Sequence, residues 1–461
     1  MPEAGSVSAG DRLAGKRALV VGAGVAGLAC AEALRSVGAR VLVSDLAEGA
    51  ADLVEAEALA LVPEQDLVVV SPGVRPQAAI PSAAARAGVP VWGDAELAWR
   101  IDGGARRWLA VTGTNGKTTT TSMLEAILLA AGEPAVACGN IGHPVASAVL
   151  GPARTLAVEL SSFQLSRAPS LSPLAGVVLN IAEDHIDWHG SMAAYVEAKA
   201  RALGGQNGVV NLDDEICAGL AVPGRRIGFR LGAPGPGELG VCDGVLVDRV
   251  DWAGGAPDPV EILPAAEIRP SGPAGVVDAL AAAALARAWG ASAETVAAGL
   301  RGFAPGAHRG EVVAERGGVE YRDDSKATNP HAALNAIEAH RSVVWLAGGQ
   351  LKGAQIDDLV VRVAARLRAA VLFGHDRDIV ADALRRHAPH VPIVVLETRD
   401  DGSMFDDPAE LMRAAVSHAA RYAGAGDVVL LAPAAASLDQ FSGYAQRGNL
   451  FAEAARGALS G

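Results

Sequence analysis

Residues 111–121, Val-Thr-Gly-Thr-Asn-Gly-Lys-Thr-Thr-Thr-Thr, limit the folds open to this chain more than any other stretch. They form a glycine-flanked loop ending in Lys117 and Thr118, between an apolar strand at Trp108–Val111 and a helix. A loop in that setting cradles phosphate. Gly113 and Gly116 let the backbone curl around Thr114 and Asn115 so that successive N–H groups point inward, and the helix N-terminus adds its positive dipole end. Lys117 can reach the β- and γ-phosphates. The Thr118 hydroxyl can hold Mg²⁺, with Thr119 beside it in the first helical turn. The usual pattern has glycine where this chain has Val111, so the loop is a shortened form. An ordinary turn is the bland alternative, and the strand–loop–helix setting favours nucleotide phosphate over it. The loop indicates a ligand and leaves the reaction open.

Strand-like and helix-like runs alternate along nearly all of the 461 residues, which points to an α/β chain with mostly parallel sheets and, by length, about three domains. Half the residues are hydrophobic but only 4% are aromatic, so the cores must rest on Ala, Val and Leu, which suits parallel sheets under alanine-rich helices. Strands are expected at 17–21, 40–44, 67–70, 89–92, 155–160, 175–180, 343–347, 370–373, 393–396 and 428–431, with an alanine-rich helix over 278–289. Residues 231–244, rich in Gly and Pro, read as a surface hairpin region. Ile101-Asp-Gly-Gly-Ala105 and Gly302–Arg309 look like boundaries, giving units at 1–104, 105–305 and 306–461. The first and third are expected to be Rossmann-like, and the second a central parallel-sheet domain of the phosphate-loop ATPase type.

A formal net charge of −13 argues against a general nucleic-acid or anionic-membrane binder, and an anionic substrate would need local Lys, Arg or Mg²⁺. Cys30, Cys138, Cys217 and Cys242 have no paired metal spacing and read as buried, small apolar residues in a reducing compartment. The apolar run 18–34 is broken by Gly22, Gly24, Gly27 and Glu32, so it parses as strand, loop and helix and not as a membrane span. With Glu3 and Asp11 near the start and no basic-then-apolar leader, the chain is expected to be cytoplasmic. No exposed amphipathic seam stands out, so a monomer is the default.

Gly22-x-Gly24-x-x-Gly27 follows a strand and opens a helix, and Asp45 ends the next strand. This is the dinucleotide fingerprint: the glycines admit a pyrophosphate and the acid binds a ribose hydroxyl. NAD, FAD and a UDP-sugar all satisfy it, and a plain tight turn is the fourth reading. Glu159 closes a strand beside the phosphate loop, where a carboxylate can hold Mg²⁺ directly or through water or simply be solvated. His185, in Asn180-Ile-Ala-Glu-Asp-His-Ile-Asp187, could bind a second divalent ion, orient a substrate oxygen or be structural. Lys199 lies on a helix among small residues, where a surface lysine is the plain reading.

Further segments give these residues a common context. Gly113-Thr-Asn-Gly-Lys-Thr, Glu159-Leu-Ser-Ser-Phe-Gln-Leu, Asn180 with Glu183-Asp-His-Ile-Asp187, His308-Arg309, Asp324-Ser-Lys-Ala-Thr-Asn-Pro330, Gly348-Gly-x-x-Lys-Gly353 and Ala436-Ser-Leu-Asp-Gln-Phe441 resemble the Mur ligases of peptidoglycan synthesis, in order and over nearly the whole chain. The segment 324–330 is the discriminating one. It is similar to the branch that adds D-glutamate to UDP-N-acetylmuramoyl-L-alanine.

The resemblance implies an ATP-driven, ADP-forming amide ligase with ATP as co-substrate and two Mg²⁺ ions. By the same resemblance, Gly22, Gly24, Gly27, Asp45, Ser71 and Gly73 hold the UDP portion, so the first fingerprint does not take NAD. Asn140 and His185 face the substrate's centre and its magnesium. Lys199 matches a lysine that this family carries as a carbamate, which would place an anion beside the metal. Arg309, Asp324 and Lys326 meet the nucleotide and the transferring phosphate. Thr328, Lys352, Ser437, Leu438 and Tyr444 hold the incoming glutamate. One departure is expected to matter. The family commonly has an asparagine reading adenine at the start of the alanine-rich helix, and Asp278 stands there in Ala274-Gly-Val-Val-Asp278. An ionised carboxylate accepts from the adenine amino group but cannot donate to a ring nitrogen, so weaker or less selective ATP binding is expected. A ligase acting on folate or another nucleotide-linked acceptor accounts for the central unit but less well for 324–330. An NAD-dependent oxidoreductase accounts only for residues 18–45, and a binding module needs no two metal sites.

Overall fold

The computed structural model describes residues 13–45, 51–252, 258–396 and 407–457. Glu3 and Asp11, on which the leader reading rests, lie outside them. The chain forms two compact units, one from residues up to 268 together with 275–303, the other from 269–274 together with 304 onward.

The first unit carries two sheets. In the smaller, β1 (Arg17–Val21), β2 (Arg40–Ser44), β3 (Leu67–Val70) and β4 (Val91–Gly93) run parallel in the order β2-β1-β3-β4. Leu67-Val-Val-Val70 is buried throughout, as befits a strand covered on both faces. The larger sheet has nine strands: β5 (Arg107–Thr112), β6 (Ala135–Gly139), β7 (Thr155–Glu159), β8 (Ala175–Val178), β9 (Asn207–Asn211), β10 (Arg225–Phe229), β11 (Glu238–Cys242), β12 (Val245–Asp248) and β13 (Val260–Pro264). Their order is β13-β12-β11-β10-β9-β8-β5-β7-β6, parallel from β6 through to β11 and antiparallel thereafter. The expected hairpin is thus β11–β12. Asp243 (φ 49°) and Gly244 (φ 78°) form its two-residue turn in the left-handed conformation that matches strand twist.

Ligands of open parallel sheets bind beyond the carboxyl ends of strands where the order reverses. Here β1 is flanked by β2 and β3, and β5 by β7 and β8, so the glycine fingerprint and the phosphate loop each leave a reversal point. The alanine-rich helix begins earlier than its alanines indicate, at Pro273, whose fixed φ suits a first turn, and runs to Trp289. Its Ala279–Ala286 face is fully buried on the large sheet with Leu109, Val111 and Leu124, small side chains letting helix and sheet approach closely.

In the second unit, β14 (Glu311–Arg316), β15 (Val319–Asp323), β16 (Val343–Gly348), β17 (Leu367–Phe373), β18 (Ile393–Val395) and β19 (Val428–Leu431) order as β14-β15-β19-β16-β17-β18. Only the β14–β15 pair is antiparallel. The loops after β15, β19 and β16 therefore emerge side by side at one end. Cys30, Cys138 and Cys217 are buried as expected, but Cys242 is exposed. It ends β11 at the hairpin turn. Among the described residues no helix is long and apolar enough to cross a membrane.

Candidate functional site

The phosphate loop is Gly113–Gly116, ending at the helix Lys117–Ala130. Gly116 caps that helix at φ 83°, a conformation a side chain strains to adopt. The loop's shape is held from outside. Asn180 accepts from the Asn115 amide (2.9 Å) and returns its own amide to the Asn115 carbonyl (3.1 Å). The Thr114 amide donates to the Asn180 carbonyl (3.0 Å), and the Thr114 and Tyr195 hydroxyls lie 2.9 Å apart. Two lysines converge on the loop: Lys117 Nζ donates to the carbonyls of Gly113 (2.9 Å) and Thr114 (2.8 Å), and Lys199 Nζ donates to Gly113 (2.7 Å).

Lys199 is 2% exposed, which overturns the reading of a surface lysine. Burial, reinforced by the Lys117 ammonium and opposed by Asp184, holds its amine well below the ordinary lysine range. Glu159, at the end of β7, is also buried. Asn140 donates to its Oε1 (2.9 Å), while Oε2 is buried without a partner. An orphaned carboxylate oxygen in a charged pocket is costly unless a cation completes it.

His185 stands at φ 55° at the mouth of a short helix, its ring 4.8 Å from that of Phe163. Burial holds its imidazole below the ordinary value against the pull of Asp184, so a neutral ring with a free lone pair prevails at neutral pH. Trp188 follows in the same turn, packed 4.6 Å from both Phe163 and His189, and His189 in turn contacts the Ser162 hydroxyl (2.9 Å). Asp278 lies under the loop: its Oδ1 accepts from the Thr120 hydroxyl (3.1 Å), and a side chain on Gly116 would collide with it.

The glycine fingerprint forms a second cradle in the same unit. Gly22 (φ 103°) faces the Ser71 hydroxyl, and Gly27 lies so close to the Gly22 carbonyl that an added Cβ would sit 1.8 Å from it. Asp45 accepts from the Ala23 amide. The Ser71 hydroxyl is buried without a partner. Gly22, Asp45 and Gly73 line a cavity of about 470 Å³, walled further by Glu55, Arg75 and Gln77.

The second unit gathers a different set. Asp324 follows β15, and burial pushes its carboxyl up to about 7, with Arg309 opposing and Asp323 adding to the rise. His308, at φ 63°, shares a 2.6 Å hydrogen bond with Asp323. Lys326 Nζ lies 4.0 Å above the Tyr444 ring. Lys352 sits at φ 54° in the loop after β16, which pairs with the loop after β19 through Gln350 and Ala436. That second loop presents buried Ser437 and exposed Leu438. Thr328 turns back on Lys326 through its amide (2.8 Å).

Residues 111–226 match the Mur ligase middle domain, and residues 308–435 match the Mur ligase glutamate ligase domain. The UDP-N-acetylmuramoylalanine--D-glutamate ligase of Rhodococcus jostii is 53% identical to this chain, covering 96% of each. The chain belongs to the Mur ligase family. The same-named ligase of Mycolicibacterium smegmatis is 52% identical, covering 96% of this chain and 97% of its own. Among solved structures, the UDP-N-acetylmuramate-alanine ligase of Thermotoga maritima shares the fold with a TM-score of 0.59 at 19% identity, covering 97% of this chain and 100% of the other. A MurF ligase of the same organism, in complex with ADP, superimposes with a TM-score of 0.54 at 16% identity, covering 97% and 95%.

Within this Mur ligase, the first unit brings Lys117, Lys199, Asn180 and Tyr195 onto the phosphate loop, and Asn140 onto Glu159. Gly22, Asp45 and Gly73 share one cavity, which Asn140 and His185 do not line. Sequence reasoning missed Tyr195, Arg75 and the His308–Asp323 pair. Asn180 and His308 stood in quoted motifs without an assigned part, and the pairing of His308 with Asp323 across β14 and β15 has no local signature.

Proposed function

We infer that the chain is an ATP-dependent, ADP-forming ligase that joins D-glutamate to the alanyl carboxylate of UDP-N-acetylmuramoyl-L-alanine in peptidoglycan precursor synthesis. The observation that carries the reading is that one unit holds two phosphate cradles, one with lysines for a triphosphate and one beside a cavity fit for a second nucleotide. An enzyme that activates a nucleotide-linked acid with ATP needs both. The name shared by relatives about half identical over 96% of the chain supplies the acid and the amine.

The acceptor's carboxylate oxygen attacks the γ-phosphorus, ADP departs, and an acyl phosphate forms. The glutamate amine then attacks the acyl carbon, the amine proton is lost, and phosphate leaves. Two anions meet in the first step, so neutralisation is the main demand on the protein. Lys117 meets it by exchanging its carbonyl partners for phosphate oxygens, with Thr114, Asn115, Thr118 and Thr119 shaping the cradle. The residues fit a hard cation: Glu159 offers an unpartnered buried oxygen, His185 a neutral nitrogen, and Thr118 a hydroxyl. Among the described residues no three His, Cys, Asp or Glu side chains cluster as a metal cage, which accords with Mg²⁺ held largely by substrate phosphates and water. Mg²⁺, two ions in this reading, supplies further neutralisation of the phosphates when bound.

The Lys199 amine, buried and held well below the ordinary lysine range, is suited in its unprotonated form to attack CO₂, forming an N–C bond and releasing a proton to leave a carbamate anion. A carbamate resonance in ¹³C NMR with labelled bicarbonate, absent in Lys199→Gln, is expected; its absence from the active wild-type protein refutes this role. Gly22, Gly24, Gly27, Asp45, Ser71 and Gly73 would take the UDP portion. Asn140 and His185 would take its centre, and Arg309, Asp324 and Lys326 the nucleotide and phosphate. Thr328, Lys352, Ser437, Leu438 and Tyr444 would take glutamate, the Lys352 charge meeting a carboxylate. Asp278 would face adenine, in which case Asp278→Asn lowers the KM for ATP severalfold, and an unchanged KM removes it from that role. We propose domains at 1–104, 105–305 and 306–461, and a cytoplasmic monomer.

The deciding experiment is phosphate release with ATP, Mg²⁺ and UDP-N-acetylmuramoyl-L-alanine, comparing D-glutamate, L-glutamate and no amino acid. Release that requires both acceptor and D-glutamate is expected. Indifference to D-glutamate, with activity on another amino acid, overturns the substrate reading.

A further inference from the structure

Arg447 is fully buried in the second unit, near the start of the helix Tyr444–Gly457. Its guanidinium makes four hydrogen bonds. Nε donates to the Ser325 hydroxyl (3.0 Å), Nη2 to the Ser325 carbonyl (2.9 Å), and Nη1 to the carbonyls of Ala435 (3.1 Å) and Gly348 (3.4 Å). Ser325 closes the circuit by donating from its hydroxyl to the Tyr444 carbonyl (2.8 Å). Burial pulls the Arg447 guanidinium down to about 10, with Asp439 and Asp323 opposing, so it remains charged at neutral pH.

The three residues it gathers stand where the chain leaves β15, β16 and β19, Ser325 and Ala435 in the loops and Gly348 as the last residue of β16. Ser325 lies between Asp324 and Lys326, and Thr328 is in the same loop. Gly348 opens the segment leading to Lys352, and Ala435 precedes Ser437 and Leu438 by two and three positions. Tyr444 stands one turn before Arg447 on its own helix. The side chains assigned to glutamate in the proposed reaction are thus all mounted on backbone that one guanidinium joins. A planar fork with fixed donor directions can set the spacing of several carbonyls at once, which the point charge of a lysine cannot.

We propose that Arg447 is the positioning residue of the amino-acid pocket: it fixes the relative placement of the β15, β16 and β19 loops and thereby the affinity for the incoming amino acid. The inference rests on the ligase reading above. Its test is steady-state kinetics of full-length Arg447→Lys and Ser325→Ala, with thermal melts alongside. For Arg447→Lys the expected result is a KM for D-glutamate raised at least tenfold, with the KM for UDP-N-acetylmuramoyl-L-alanine, whose cradle lies in the first unit, changed by less than threefold. Ser325→Ala, which removes one link and leaves the cation, should move the D-glutamate KM about threefold in the same direction. Should Arg447→Lys fail to fold, Ser325→Ala decides alone. An unmoved D-glutamate KM in the folded variants, or an equal rise in the acceptor KM, overturns the proposal. A wild-type protein whose turnover ignores D-glutamate overturns the ligase reading as well, and the two failures are told apart by the wild-type control.

Discussion

Asp324 reverses the usual pH behaviour of a carboxylate. Its folded-state value, about 7, lies above that of an aspartate in an unfolded chain, so between about pH 4 and pH 7 the native state holds the proton that the unfolded state has lost. The stability it contributes is complete below pH 4 and disappears as the pH rises through 7, opposite to a salt-bridged aspartate. Asp324→Asn, which stays neutral, should therefore melt at a higher temperature than the wild type at pH 8, with the gap closing by pH 4. A constant gap across that range would mean that the carboxyl is ionised throughout. At this scale the sequence revealed residue types but not their surroundings. Lys199 looked like a surface lysine because its partner, the Gly113 carbonyl, is 86 residues away. Glu159 and His185 were legible because each ends or follows a strand beside the phosphate loop. The Arg447 network was not, since its acceptors are backbone carbonyls that carry no residue identity.

Helices and strands with strong local patterns were easiest to foresee, and the fingerprint helix Val25–Ser36 is the clearest case. Gly27 shows what the pattern enforces, because its hydrogen occupies space next to the Gly22 carbonyl that a methyl group cannot share. Gly27→Ala should push the helix off the loop, raise the KM for the UDP-linked acceptor at least tenfold and lower the melting temperature, leaving the KM for D-glutamate within twofold. An unchanged acceptor KM would detach this loop from the UDP portion. Strands lacking bulky residues escaped notice. Ala135-Val-Ala-Cys-Gly139 offers little local preference and is a strand because β7 pairs with it. The alanine-rich helix started five residues before the expected position because Pro273 and Gly275 resemble loop residues and act here as the first turn.

Across the whole molecule, α/β architecture and family were plain from the order of motifs, whereas the division into two compact units was not, since the two sheets of the first unit separate cleanly in sequence. Its tryptophans are distributed unequally. Trp92, Trp99, Trp108, Trp188, Trp252 and Trp289 belong to the first unit and only Trp345 to the second, where it is buried. Intrinsic emission therefore reports chiefly on the unit with the two phosphate cradles. Trp188, packed against Phe163 and His189 in the turn that bears His185, is the tryptophan nearest in sequence to the proposed chemistry. Adding ATP or the UDP-linked acceptor should change the emission, and Trp188→Phe should remove most of that change while D-glutamate alone leaves the spectrum still. A response that survives Trp188→Phe would mean that another of the six emits it. The packing that holds His185 in place thus gives the protein a built-in optical sensor, by which occupancy can be followed without label or coupled assay.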